Sequence, residues 1–134
     1  MNSFKLFLKI TGPVFFAVAA LHLVLGIQAD VMLGAQVPLA TLHDPVLDSQ
    51  NRFYGTSFAL FGALLVLSAR DPEKYAAVIR CVLWAMLAGG LARLVSIAIV
   101  GLPSPPVLAL LAIELVIPPL ALVWLRCIVL DARA

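Results

Sequence analysis

Four stretches of about twenty residues are almost wholly apolar, and nothing else in this 134-residue chain restricts its fold so strongly. They are Ile10–Ala29, Phe53–Ala69, Cys81–Val100 and Pro106–Leu125. The first two carry no formal charge, the third holds only Arg93 and the fourth only Glu114. A hydrocarbon core about 30 Å thick needs about 20 residues of helix at about 1.5 Å per residue. Headgroup-level residues extend the set to 10–29, 52–69, 79–100 and 106–128, with an outer loop over 30–51. The runs are rich in Leu and Ala and show no period-two alternation, so strands are excluded. The expected fold is all-α: a single domain, 1–134, built as a bundle of four transmembrane helices.

Composition agrees. Hydrophobic residues make up 63% of the chain and charged residues 12%, and mean hydropathy is +1.11. A water-facing surface needs about twice that share of charge. A soluble enzyme and a disordered chain are therefore excluded. The net charge of +2 is too small for a nucleic-acid footprint. The partner that this composition demands is a lipid bilayer.

The basic residues orient the helices. Seven of the nine, Lys5, Lys9, Arg70, Lys74, Arg80, Arg126 and Arg133, lie at the termini or between the second and third spans. The opposite loops hold Asp30, Asp44 and Asp48 and no Lys or Arg. By the positive-inside rule both termini are cytoplasmic. Ala17-Val18-Ala19 resembles a signal-peptidase site, but the apolar run continues past it, so the first helix is expected to remain uncleaved. Cys81 and Cys127 read as buried small residues on the reducing side. Trp84 and Trp124 read as interface anchors or packing residues. There is no internal repeat and no metal-type cysteine spacing.

Small residues are the expected packing surfaces, because lipid offers little hydrophobic drive between helices. They are Ala17, Ala20 and Gly26 in the first span, and Gly55, Ala59, Gly62 and Ala63 in the second. In the third they are Ala85, Gly89 and Ser96 beside Arg93. Pro118-Pro119 is expected to bend the fourth span one turn past Glu114, by removing donors to the carbonyls of Glu114 and Leu115. Gly101–Pro106 reads as a stiff turn that makes a hairpin of the last two spans.

Depth picks out the candidate site. His22 and Arg93 lie seven residues inside the outer ends of their spans and Glu114 eight, all roughly 10–12 Å below the boundary. Arg52 opens the second span on that side, between Asn51 and Tyr54. Ionisable groups in a bilayer are costly and normally pair. Arg93 and Glu114, on neighbouring antiparallel helices, are expected to form an ion pair, with Arg52 adding a second cation to the same carboxylate or to a ligand. The pair has two readings: a clamp on helix register, or one wall of an outward-facing polar pocket. Two arginines against one glutamate favour an anionic ligand. His22 also reads as a hydrogen-bonded packing residue, and His43, Asp44 and Asp48 as a solvated loop with an Asp-Pro turn. The long apolar outer loop is expected to cover the polar set.

Asn51-Arg52-Phe53-Tyr54-Gly55, Gly89-Gly90-Leu91-Ala92-Arg93-Leu94-Val95-Ser96, Gly101-Leu102-Pro103 and Glu114 follow one another in an order that covers nearly the whole chain. This order resembles that of a small four-helix bacterial membrane family of unknown function, domain of unknown function 4345, similar in layout to the DoxX-like group. The resemblance implies a bacterial inner-membrane location and a family pattern that includes Asn51, Arg52, Tyr54, Arg93, Ser96 and Glu114. Some DoxX-like proteins are associated with quinone-linked oxidoreduction, so it also implies a quinone-like ligand. No reaction, cofactor or catalytic residue follows from it. Two functions are expected in competition. One is a pocket for a small molecule or lipid-like headgroup, formed by Asn51, Arg52, Tyr54, Arg93, Ser96, Glu114 and His22. The other is an accessory subunit that docks on a larger membrane complex, or on a second copy, through its small-residue faces.

Overall fold

The structure is a computed structural model that describes residues 1–131. It is all-α, in the order α1 (Asn2–Leu25), α2 (Gln28–Met32), α3 (Leu39–Leu42), α4 (Pro45–Ser68), α5 (Ala76–Val100) and α6 (Pro105–Asp131). Three helices, Asn2–Leu25, Ala76–Val100 and Pro105–Leu130, are long and apolar enough to cross a membrane. α4 is as long as α1, 24 residues, but Asp48, Asn51 and Arg52 dilute the hydrophobicity of its first half. The long helices expose large apolar side chains, with Val100 83% and Val24 72% accessible. Such surfaces need an apolar solvent. Arg133, counted above among the basic residues, lies outside the described residues.

Two helix starts differ from the sequence reading. α1 begins at Asn2 rather than near Ile10 and stops at Leu25, because Gly26 turns the chain with φ 58°. A Cβ there would collide with the Asp48 carboxylate. α4 begins seven residues before Arg52. Asp44 accepts from the amides of Val46 and Leu47 at 2.9 and 3.0 Å, and Pro45 takes the first position, where its missing N–H costs nothing. His43-Asp44-Pro45 is therefore a helix start and not a free turn. What remains of the outer loop holds the short helices α2 and α3.

α1 and α4 pack antiparallel through glycine. A Cβ on Gly62 would lie 2.9 Å from the Gly12 carbonyl oxygen, and one on Gly55 would lie 3.0 Å from that of Ala19. The seam residues repeat at seven, 12 to 19 and 55 to 62. Seven residues are almost two full turns, whereas each four-residue step rotates about 40° off the face. That is why Ala63, two such steps from Gly55, is exposed; Ala17 and Ala20, two and one residues from Ala19, lie well round the helix from the seam and are exposed too. On α5 the expected surface of Ala85, Gly89 and Ser96 also faces outward, and its buried glycine is Gly90. Cys81 and Cys127 are exposed, not buried. Trp84 is exposed, while Trp124 meets Phe4 edge-on at 5.1 Å. α6 runs unbroken through Pro118 and Pro119.

Burial is concentrated at one end. Phe4 and Leu8 of α1, Leu65 of α4, Ile79 and Leu83 of α5 and Leu125 of α6 form one core where the chain starts and α4 turns into α5. We call this the basic end and the opposite one the loop end. α5 has no buried residue beyond Gly90. The pairs α1–α4 and α5–α6 are each closely packed, and they meet chiefly at the basic end. Toward the loop end a cleft opens between them.

Candidate functional site

Arg93 and Glu114 form the pair that their matching depth predicts. Arg93 Nε donates to Glu114 Oε2 at 2.8 Å. Gly90, one turn before Arg93, lets the helices close: a Cβ there would lie 3.1 Å from the Glu114 Cβ. The Arg93 side chain is 37% exposed and that of Glu114 19%, so the carboxylate is the more enclosed partner.

The exposed part of Arg93 borders the cleft. This cavity of about 330 Å³ is lined by His22 of α1, Asp30 of α2, Tyr54, Ser57, Phe58 and Phe61 of α4, and Arg93 of α5. His22 is buried, its ring centroid 5.6 Å from that of Phe58, and its Nδ1 lies 2.9 Å from the Val18 carbonyl oxygen. A carbonyl only accepts, so Nδ1 is the donor in this contact. Tyr54 is half exposed. The lining thus combines the rings of Tyr54, Phe58 and Phe61 with the polar groups of His22, Asp30, Ser57 and Arg93.

The remaining expected residues divide. Asn51 is buried beside the cleft wall, where its Nδ2 donates to Asp30 Oδ2 at 2.5 Å. Its Oδ1 has no partner, a costly arrangement for a buried acceptor. Arg52 does not join Glu114. Its Nε donates to Asp48 Oδ2 at 2.7 Å, and another guanidinium nitrogen donates to the Leu23 carbonyl at 2.5 Å. Leu23 lies in the last turn of α1, whose carbonyls lack intrahelical donors, so Arg52 ties the start of α4 to that end. The Arg52 guanidinium bonded to Asp48 holds the Asp48 carboxyl below its ordinary 3.8, against some desolvation. Ser96 lies on the exposed face of α5, outside the cleft.

Sequence reasoning missed Asp30, Ser57, Phe58 and Phe61. Three of these carried a signal. Positions 54, 57, 58 and 61 are one helical face, so Tyr54 already pointed to its neighbours. Asp30 had none, since only the fold brings α2 against Asn51. The loop is tied down elsewhere as well: Ser104, in the α5–α6 turn, donates to the Leu33 carbonyl. Among the described residues no group of three His, Cys, Asp or Glu could hold a metal ion.

Fold and site together define a small all-α protein of membrane type with a cleft of mixed aromatic and polar lining at one end. The chain belongs to a family described as a domain of unknown function, DUF4345, whose model matches residues 3–125. No curated protein and no solved structure matches it.

Proposed function

We propose that this chain is a bacterial inner-membrane protein of four spans whose loop-end cleft binds a small, neutral, flat molecule with carbonyl oxygens, of which a quinone-like ring is the type. α4 serves as the fourth span over residues 52–69: it is as long as α1 and packs along it, and its polar first two turns, with Asp48, stand outside the membrane. Lys5, Lys9, Arg70, Lys74, Arg80 and Arg126 gather toward the basic end, which supports both termini in the cytoplasm and the cleft facing outward.

The observation that carries this reading is the make-up of the cleft wall. Tyr54, Phe58 and Phe61 offer ring faces for stacking, and Arg93 and the Tyr54 hydroxyl offer donors to carbonyl oxygens. Asp30 and Arg93 are opposite charges, and Arg93 already faces Glu114. With Arg52 committed to Asp48, the excess positive charge that favoured an anionic ligand is gone from the site. Glu114 then orients Arg93 and does not touch the ligand.

Mass spectrometry of small molecules retained by the gently purified protein tests this. A carbonyl-bearing ring compound should accompany the wild type and be lost from Ser57→Phe, which places a fourth ring in the cavity. Retention of nothing but bulk phospholipid by both proteins contradicts the reading.

One observation favours a second role. Ala85, Gly89, Ala92 and Ser96 present an exposed small-residue face on α5, and a Cβ on Gly89 would meet nothing within 4 Å. Such faces let helices of separate chains approach closely, as an accessory subunit of a membrane complex or a homo-oligomer would require.

A further inference from the structure

A second cavity, of about 400 Å³, lies at the basic end between the start of α5 and the end of α6. Arg80, Leu122, Arg126, Val129 and Leu130 line it. Positions 122, 126, 129 and 130 share one face of α6, so Arg126 stands on the same stripe as three apolar side chains. Arg80 reaches the cavity from the second turn of α5, and both arginines are exposed. Each lies four or five residues from its helix end and one or two inside the ends of the expected spans 79–100 and 106–128, where headgroups are expected. The two ion pairs among the described residues engage Arg52 and Arg93, not these arginines.

Two guanidiniums facing one cavity repel each other unless an anion sits between them, and a phosphate diester suits both because each can meet its oxygens with paired N–H groups. The apolar part of the wall has no use for a free ion, but it fits the upper carbons of an acyl chain. The geometry points to a binding site for an anionic phospholipid, its phosphate between Arg80 and Arg126 and its chain against Leu122 and Val129. This site is remote from the loop-end cleft and does not depend on that cleft's ligand.

The test uses delipidated full-length protein in neutral detergent, with tryptophan fluorescence as readout because Trp84 is exposed one turn from Arg80. Short-chain phosphatidylglycerol, short-chain phosphatidylcholine and sodium phosphate are titrated separately. Phosphatidylglycerol should bind saturably and more tightly than phosphatidylcholine, and phosphate should not compete. R80Q/R126Q should weaken phosphatidylglycerol binding by about fivefold per arginine, while R80K/R126K, which keeps the charge but not the paired N–H groups, should bind with an intermediate affinity. Equal binding of the two lipids, unchanged binding by folded R80Q/R126Q, or displacement by phosphate alone would overturn the proposal. Should R80Q/R126Q fail to fold, the ratio of the two lipids on the wild type and on R80K/R126K decides.

Discussion

Arg93 Nε lies 2.8 Å from Glu114 Oε2, and the same arginine forms part of the cleft wall together with His22 and Tyr54. One side chain thus joins the α5–α6 hairpin to the opening between the helix pairs. A clamp and a pocket wall are not exclusive here: the carboxylate holds the guanidinium, and the guanidinium faces the cavity.

This arrangement separates stability from binding. Removing one partner leaves a partly buried charge, so Arg93→Gln or Glu114→Gln alone should cost about 1–3 kcal/mol, less than a fully buried pair because Arg93 is 37% exposed. Replacing both by Met should recover much of that loss. Thermal unfolding in detergent measures the three variants. Ligand binding should fail in Arg93→Met/Glu114→Met even where stability returns, since the donor to the ligand is gone.

The α1–α4 seam should tolerate no side chain at its glycines. Gly62→Val forces branched carbons against the Gly12 carbonyl, which a Cβ alone would approach to 2.9 Å. The opposing group is backbone and cannot swing away. A loss of about 1–3 kcal/mol in unfolding free energy is expected, and Gly12→Val should resemble it.

Gly89 makes the opposite prediction. With nothing within 4 Å of a Cβ there, Gly89→Leu should leave the isolated chain as stable as the wild type or slightly more so. If the α5 face docks on a partner helix, the same change abolishes co-purification of that partner or the homo-oligomer. Size-exclusion chromatography with light scattering separates the outcomes.

The Asp48–Arg52 contact gives a pH signature. Arg52 lowers the Asp48 carboxyl below its ordinary 3.8, so the folded protein binds this proton less readily than the unfolded chain. The contribution is therefore full above the ordinary carboxylate range and fades as pH falls through the lowered folded value. Both side chains are substantially exposed, so the effect is small. The difference in unfolding temperature between the wild type and Asp48→Asn should be present near neutrality and shrink as pH falls through the ordinary carboxylate range and below it.

Much of this was legible in the sequence, for stated reasons. The charge-poor runs announced the helices, and equal depth announced Arg93–Glu114, because a helix converts residue number directly into height. Packing faces were read less well. A four-residue step resembles a stripe, but the seven-residue repeat of Gly12 with Ala19 and of Gly55 with Gly62 stays on the seam. Arg52 was misplaced because nearby partners outcompeted a distant one: Asp48 lies one turn away, and the end of α1 supplies a waiting carbonyl. Asp30 was invisible, since no local pattern brings a loop aspartate against Asn51.

Equilibrium binding of a short-chain quinone to the purified protein probes the loop-end cleft most directly. Saturable binding of one molecule per chain is predicted for the wild type, with loss in Arg93→Met/Glu114→Met and in Ser57→Phe but not in Arg80→Gln. Non-saturating uptake that matches empty detergent micelles, or equal binding by the cleft variants, would contradict the account.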